Sequence, residues 1–232
     1  MMEQRGLKKV AKTDLPELIL HNSVSLDGSL TGFEPNMELH YRIAGNYKPD
    51  VHLIGSATIK KGIEMYGDGV PMEEKEDFVR PKRNKNIPYW AIIDTRGKLK
   101  GLLHTCRRFE FCRDVIVVVS GKTPKSYLQH LKERNYDYHI VGKDRADLKK
   151  TLELLLKKYK AKRILADTGK ILGNLLLNQG LVDEISLLVH PVIVGKSAYN
   201  MFGDAAGNIS LKLFKQELLD KDYIRLIYKV RS

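Results

Sequence analysis

Three short segments place glycine beside hydroxyl, carboxylate or lysine side chains, each directly after an apolar run. They are Gly55, Ser56 and Thr58; Ser120, Gly121 and Lys122; and Asp167, Thr168, Gly169 and Lys170. Such a segment is typical of a strand that leads into a helix, where free backbone amides and the helix dipole bind phosphate. Each one alone also fits an ordinary capped turn. Because the carboxyl ends of parallel strands meet at one sheet edge, three together favour a phosphate site there. Neither a Rossmann fingerprint nor a Walker loop is present in the sequence.

A fourth polar segment, from Asn22 to Gly28, ends the first apolar run. Asn22, Ser25 and Asp27 offer an amide, a hydroxyl and a carboxylate, which suit hydrogen bonding to a polar heterocycle. A carboxylate beside a substrate can also orient it or relay a proton. Asp27-Gly28 is equally a turn signal, so both interpretations stay open.

The hydrophobic pattern predicts the elements that position these residues. Apolar runs predict strands at residues 18–24, 51–54, 89–94, 115–119, 138–141, 163–166 and 185–189. Helical spacing predicts helices at residues 123–134, 147–159 and 170–178. Alternating patterns near residues 211–218 and 223–230 predict two further strands. We expect an α/β fold with a mostly parallel central sheet, helices on both faces and an antiparallel C-terminal edge.

The expected domain organisation is a leader, residues 1–16, followed by one domain over residues 17–232. Residues 66–85 are rich in Gly, Pro and charge, which predicts a long surface loop.

Composition narrows the class of partner. A net charge of +12 favours anionic partners, but the cationic residues are scattered and not interleaved with regularly spaced aromatics. We therefore do not expect nucleic acid to be the partner.

No apolar run reaches the ~20 residues of a membrane helix, and the polar N-terminus is not a secretory signal. Cys106 and Cys112 lack the spacing of a zinc site, so we predict no metal and a cytoplasmic location.

The order of several motifs resembles the pyrimidine reductases of riboflavin synthesis. The motifs are Ser25-Leu26-Asp27-Gly28, Ile54-Gly55-Ser56-Ala57-Thr58, Ile92-Ile93-Asp94-Thr95, Gly180-Leu181-Val182-Asp183-Glu184 and Pro191 to Gly195. This family comprises the C-terminal half of the bacterial bifunctional deaminase-reductase and free-standing reductases of archaea and fungi. The resemblance implies a dihydrofolate-reductase-like fold, a homodimer and an NADPH-dependent reduction. The substrate it implies is a ribosylaminopyrimidine 5′-phosphate, converted to the ribitylamino form.

The resemblance also implies roles for individual residues. The cofactor contacts would be Gly55, Ser56, Thr58 and Asp94, with residues 120–122 at the adenosine 2′-phosphate and residues 167–170 over the pyrophosphate. No acidic residue of the kind that binds a free ribose hydroxyl follows the strand that ends at residue 119, which favours NADPH. The substrate side would hold Asn22, Ser25 and Gly28, with Asp27 as the catalytic candidate.

Two departures from the family bear on the substrate. Asp-Thr-Gly-Lys at residues 167–170 stands where the family has Glu-Gly-Gly-Gly, so a threonine lies where the backbone should approach phosphate. The family's Asp-Asp-Pro-x-Leu-Thr-x-Arg segment, which helps to hold the substrate phosphate, is absent, and Arg80 and Lys82 are the remaining candidates. Two alternatives stay open: a reductase of this fold that acts on another substrate such as dihydrofolate, and a non-catalytic binding protein that retains the fold.

Overall fold

The computed structural model describes residues 15–66, 69–196 and 198–231. Nine strands form one sheet. The strands are β1 (Glu17–Ser25), β2 (Val51–Gly55), β3 (Tyr89–Ile93), β4 (Val115–Val119), β5 (Asp137–Ile140), β6 (Arg163–Ala166), β7 (Glu184–His190), β8 (Leu211–Leu219) and β9 (Tyr223–Val230). The helices are α1 (Met37–Asn46), α2 (Ser56–Tyr66), α3 (Leu103–Arg108), α4 (Lys125–Glu133), α5 (Leu148–Tyr159) and α6 (Lys170–Asn178). Except for residues 15 and 16, the predicted leader lies outside the described residues.

The sheet has the order β5-β4-β3-β2-β6-β1-β7-β9-β8. The strands from β5 to β7 in this order pair in parallel, while β9 pairs antiparallel with both β7 and β8. The predicted mostly parallel sheet with an antiparallel C-terminal edge is therefore confirmed. Because β2, β4 and β6 all run in the same direction, their carboxyl ends reach one edge of the sheet. The three predicted strand-to-helix junctions lie at that edge.

Hydrophobic cores on both faces of the sheet explain why the strands are continuous apolar runs. On one face, Leu152 of α5 and Leu176 of α6 belong to a core that includes Ile116 of β4. On the other face, Leu131 of α4 packs in a core that includes Val117. Neighbouring residues of β4 thus enter opposite cores, as the alternation of a strand requires, and β4 is buried along its whole length.

Helices α1 and α3 are not predicted by the sequence pattern. The buried face of α1 consists of Leu39, His40, Ile43 and Ala44, and a histidine within this stripe weakens its hydrophobic periodicity. The helix still has a regular start, because the Asn36 side chain accepts a hydrogen bond from the Leu39 amide at 3.0 Å. No helix among the described residues is long and apolar enough to cross a bilayer.

The predicted surface loop, residues 66–85, is more firmly attached in its described part than its composition suggests. It contains a short 3-10 helix, Lys75–Phe78. Asp77 within this helix is buried, and its carboxylate accepts a hydrogen bond from Arg108 of α3 at 2.7 Å. The loop is therefore a packed part of the fold.

Candidate active site

A cleft of about 2780 Å³ follows the carboxyl ends of β2, β3 and β6 and continues across the adjoining face of the sheet. His52 of β2 and Trp90 of β3 lie on its floor, and α1 and α2 contribute walls. Small-molecule sites usually occupy roughly 300–1,000 Å³, so this cleft can hold two ligands together. Open α/β sheets bind ligands beyond the carboxyl ends of their strands, which makes the cleft the candidate active site.

The junctions after β2 and β6 contact each other in the cleft, because these strands are neighbours in the sheet. The Gly55 amide donates to Thr168 Oγ1 at 3.2 Å, and the Gly169 amide donates to Thr58 Oγ1 at 3.1 Å. These four residues line the cleft, as do Ser56, Asp167 and Lys170. The structure thus brings together the first and third of the predicted phosphate-binding segments.

The expectation of free amides in these two segments needs correction. Both glycine amides are already bonded to threonine hydroxyls, and Thr168 is only 2% exposed. A Cβ atom added to Gly55 would lie 3.3 Å from Thr168 Oγ1, a tight contact that explains glycine at this position. Lys170, the cation of the segment that follows β6, lines the cleft, and its Nζ lies 3.3 Å from Asp204 Oδ2.

Asn22 presents an unpartnered acceptor. Its Nδ2 donates to the Thr168 carbonyl at 3.0 Å, which fixes the orientation of the amide. Among the described residues its Oδ1 has no hydrogen-bond partner, although the residue is only 6% exposed and lines the cleft. A buried polar atom without a partner costs about 1–3 kcal/mol. The site therefore fits a ligand that brings an N–H donor, such as a carboxamide or an exocyclic amine.

The junction after β4 differs from the prediction. Ser120 is buried, and its hydroxyl donates to the Asp144 carbonyl at 3.3 Å. The Gly121 amide donates to the Gly142 carbonyl at 3.0 Å. Neither residue lines the cleft, whereas Lys122 does. Ser120 and Gly121 thus shape this junction, and Lys122 is the group that it offers to a ligand.

An acidic residue lies beside Lys122. Asp144 Oδ1 is 2.6 Å from Lys122 Nζ, and both side chains are largely exposed. Because Asp144 follows β5, the sequence analysis missed it by considering only the chain that follows β4. Three further cations, Arg96, Lys98 and Arg145, line this end of the cleft. The end of the cleft at β3, β4 and β5 is therefore cationic, with one carboxylate within it.

Asp27, the predicted catalytic residue, does not line the cleft. Its carboxylate accepts hydrogen bonds from the Ser25 hydroxyl at 2.5 Å and from the amides of Val194 at 3.2 Å and Gly195 at 2.8 Å. The Ser25 hydroxyl, followed by these amides, lowers the pKa of Asp27 to about 2. An acid of this strength carries no proton to donate near neutral pH. Asp27 instead joins the turn after β1 to the loop after β7.

Ser25, Gly28 and Asp94 also have structural positions outside the cleft lining. Gly28 occupies the same turn as Asp27 with a φ of +78°, a backbone conformation that glycine adopts without strain. Asp94 is fully buried, and its carboxylate accepts hydrogen bonds from the amides of Lys98 at 3.0 Å and Leu99 at 2.9 Å. The carboxylate thus closes the turn after β3.

Arg80 and Lys82 do not line the cleft. They line a separate cavity of about 190 Å³ at the amino ends of β3, β4 and β5. Arg80 is 3.8 Å from Asp137, the first residue of β5. Neither residue lines the cleft, so other cations are needed to hold the phosphate of a substrate bound there.

A histidine cluster that the sequence pattern does not predict lies at the cleft. His40 Nδ1 lies 3.0 Å from Ser23 Oγ, and His40 Nε2 lies 3.3 Å from Asp167 Oδ2. The His21 ring stacks on the His40 ring with centroids 4.5 Å apart. Ser23, His40, His52 and Asp167 all line the cleft. His21 and Ser23 share one face of β1, but this signal is useful only once α1 is known to pack there.

The comparisons with known proteins agree with this architecture. The RibD C-terminal domain family matches residues 16–224. A 2,5-diamino-6-ribosylamino-4(3H)-pyrimidinone 5′-phosphate reductase from Archaeoglobus fulgidus is 23% identical over 190 residues, which cover 78% of this chain and 82% of the relative.

Solved structures show the same fold. RibD from Acinetobacter baumannii is similar with a TM-score of 0.67 and 22% identity, over 94% of this chain and 59% of that one. The riboflavin biosynthesis reductase Rib7 from Saccharomyces cerevisiae is similar with a TM-score of 0.64 and 19% identity, over 96% of this chain and 93% of that one. The chain thus spans about 59% of the bacterial RibD chain. The expected dihydrofolate-reductase-like fold is confirmed, and the chain belongs to the RibD C-terminal domain family.

Proposed function

We propose that this chain is a nicotinamide-dependent reductase that converts a ribosylaminopyrimidine 5′-phosphate into its ribitylamino form, a step of riboflavin synthesis. The cleft at the β2–β6 junctions carries the proposal, because its size and cationic lining suit a phosphorylated substrate beside a dinucleotide. Membership of the family points to the same chemistry. A cytoplasmic location is part of the proposal, since both buried cysteines are free thiols and such thiols persist in reducing compartments.

NADPH is the cofactor that we propose. Gly55, Thr58, Gly169 and Lys170 would hold its pyrophosphate, and Lys122 its 2′-phosphate. When bound, NADPH supplies the hydride, while the protein supplies position and electrostatics. The cationic end of the cleft at β3, β4 and β5 supports a 2′-phosphate at that end.

The substrate phosphate needs cations other than Arg80 and Lys82. We propose Lys61 of α2 and Lys85, which both line the cleft. Neither ammonium group has an ion-pair partner within the part of the chain that the structure describes, so both are available to a ligand. Lysine binds phosphate as a point charge, and two lysines can replace the family's single arginine.

The deciding experiment measures NADPH oxidation by the purified chain, through loss of NADPH absorbance, with three candidate substrates. These are the diaminated ribosylaminopyrimidine phosphate, its deaminated counterpart and dihydrofolate. We expect turnover with one or both pyrimidine phosphates and none with dihydrofolate. Turnover with dihydrofolate alone would establish the other reductase. Salt-dependent nucleic-acid binding without NADPH binding would instead identify a binding protein.

A homodimer is part of the proposal, and the edge of the sheet supports it. β8 is the outermost strand, and its Leu213, Phe214 and Leu218 side chains are exposed. A long edge strand with exposed apolar side chains readily pairs with another chain, and a second copy offers the same surface across a two-fold axis. Light scattering during gel filtration should give twice the chain mass, and Phe214→Lys should shift it to the monomer.

A further inference from the structure

We propose that Ser23, His40 and Asp167 form a proton relay, in which Ser23 contacts the substrate while His40 and Asp167 act behind it as positioning residues. The proposal rests on the proposed reductase function and names the residues that would protonate the substrate nitrogen. Ser23 belongs to β1, His40 to α1, and Asp167 to the loop between β6 and α6. The fold thus brings them together from three separate parts of the chain.

The contacts run in one line from the cleft to the carboxylate. Ser23 lines the cleft, with its Oγ 3.0 Å from His40 Nδ1. On the other side of the ring, His40 Nε2 is 3.3 Å from Asp167 Oδ2, within ion-pair distance but without the geometry of a hydrogen bond. The His40 side chain is only 4% exposed, so bulk water screens this pair little. His40 thus connects a cleft hydroxyl to a carboxylate.

The neighbouring histidines leave His40 as the proton carrier of the cluster. Burial, followed by the nearby charge of His40, lowers the pKa of His21 to about 3. Burial likewise lowers the pKa of His52 to about 4. Both rings are therefore neutral near neutral pH, and His40 is the imidazole that lies in contact with a carboxylate.

The carboxylate keeps its negative charge. Burial raises the pKa of Asp167, but attraction to His40 outweighs burial and leaves the pKa below its ordinary value. The other ring groups that face His40 are Tyr41, edge-on at 5.1 Å, and His190 of β7, whose pKa burial lowers. Neither supplies a competing negative charge, so Asp167 is the group that stabilises an imidazolium at His40.

The proposed reduction requires one proton per turnover. Hydride transfer to C1′ of the ring-opened imine converts the C=N double bond into a C–N single bond. The nitrogen takes up a proton and becomes an amine. The dihydronicotinamide is oxidised and the imine is reduced. In the relay, the Ser23 hydroxyl gives its proton to this nitrogen and receives the Nδ1 proton of the His40 imidazolium. His40 is left neutral beside Asp167 and regains a proton from solvent before the next turnover.

The first test is the pH dependence of turnover. In the unchanged enzyme, kcat should fall as the pH rises, because the relay must deliver one proton to the substrate nitrogen at each turnover. His40→Gln and Ser23→Ala should each lower kcat by about 10²-fold and remove this decline, because a positioned acid contributes roughly 10²–10⁴-fold. The KM for NADPH should change much less than kcat. A variant that keeps both kcat and the alkaline decline would overturn the relay.

His139→Gln is the matched control. His139 on β5 also lies near a carboxylate, 3.5 Å from Asp137, but it does not line the cleft. This variant should keep the normal kcat and pH profile. If it lost both to the same degree as His40→Gln, the effect at His40 would be a general result of removing a histidine beside a carboxylate and not of a relay.

A second measurement needs no turnover and so separates failure of the relay from failure of the proposed function. Histidine ring resonances are recorded by NMR, and the His40 signal is assigned by its loss in His40→Gln. In Asp167→Asn, the His40 ring signals should shift at a fixed pH, because the substitution removes the negative charge 3.3 Å from Nε2. Unchanged His40 signals would overturn the His40–Asp167 pair, whatever substrate the enzyme uses.

Discussion

Cofactor preference should depend on the exposed pair formed by Lys122 and Asp144. The two side chains lie 2.6 Å apart at the cationic end of the cleft. NADPH and NADH differ only by the 2′-phosphate, which we place beside Lys122. Lys122→Ala should therefore weaken NADPH and leave NADH nearly unchanged. Asp144→Asn should strengthen NADPH, because it removes a negative charge that competes for the lysine and repels the phosphate.

The expected magnitudes follow from the exposure of the pair. A hydrogen bond to a charged group contributes roughly 1.5–3 kcal/mol, and the lower figure applies because the Lys122 side chain is 72% exposed. Lys122→Ala should thus raise the Kd for NADPH about tenfold. Repulsion between a carboxylate and a phosphate about 5 Å apart in water is about 1 kcal/mol, so Asp144→Asn should lower that Kd about fivefold. Both effects should shrink as salt is added.

The assay is titration of each variant with NADPH and NADH at low and at raised salt. Lys125→Ala is the control, because this lysine begins α4 but does not line the cleft. Equal weakening of both cofactors in Lys122→Ala would place the lysine elsewhere on the ligand. If Asp144→Asn weakened NADH and left NADPH unchanged, Asp144 would bind a free ribose hydroxyl, and the assignment of this end to a 2′-phosphate would be refuted.

Three further predictions test other parts of the site. Asp27→Asn should keep kcat within about threefold, because the carboxylate lies outside the cleft lining. A fall in kcat near the ~10²-fold that an acid–base group contributes would restore the catalytic role of Asp27. The folded pKa of Asp27, about 2, lies below its ordinary 3.8, so its bonds stabilise the fold above pH ~4 and lose this effect as the pH falls toward 2. The Tm difference from Asp27→Asn should therefore be present at neutral pH and vanish in acid. Gly55→Ala should raise the Kd for NADPH several-fold, since the new Cβ would press on Thr168 Oγ1 at 3.3 Å, and an unchanged Kd would show that the junction adapts. Lys61→Ala should raise the KM of the pyrimidine phosphate about tenfold with little change in kcat, and an unchanged KM would exclude this phosphate ligand.

The sheet was predictable because its signals are local. Apolar runs and the polar segments that follow them mark β2, β4 and β6, and the parallel arrangement then places their ends at one edge. Pairing across the sheet is not a local property. Gly55 and Thr168 are 113 residues apart, and their hydrogen bond exists because β2 and β6 become neighbours. The sequence analysis therefore found the segments but misjudged which of their donors remain free.

Asp27 and His40 show why side-chain roles were harder to predict than strands. An Asp-Gly pair after a strand fits a turn and a ligand site equally well, and the amides that decide between them belong to Val194 and Gly195, 167 and 168 residues away. His40 was missed for the opposite reason. Its position on the buried face of α1 weakens the hydrophobic periodicity, so the feature that makes it chemically useful also hides the helix that carries it.

Thr168 resolves the departure from the family's glycine-rich loop. In the sequence, a threonine at this position threatens to block the approach of phosphate to the backbone. In the structure its side chain is buried, and its Oγ1 accepts a hydrogen bond from the Gly55 amide. The threonine therefore occupies one amide donor of the junction. A junction that has one amide fewer for phosphate needs another source of positive charge. Lys170 lies at the start of α6, where the helix dipole adds to the charge of its ammonium group. We propose that Thr168 closes the junction between β2 and β6, and that Lys170 supplies the phosphate donor that this closure uses.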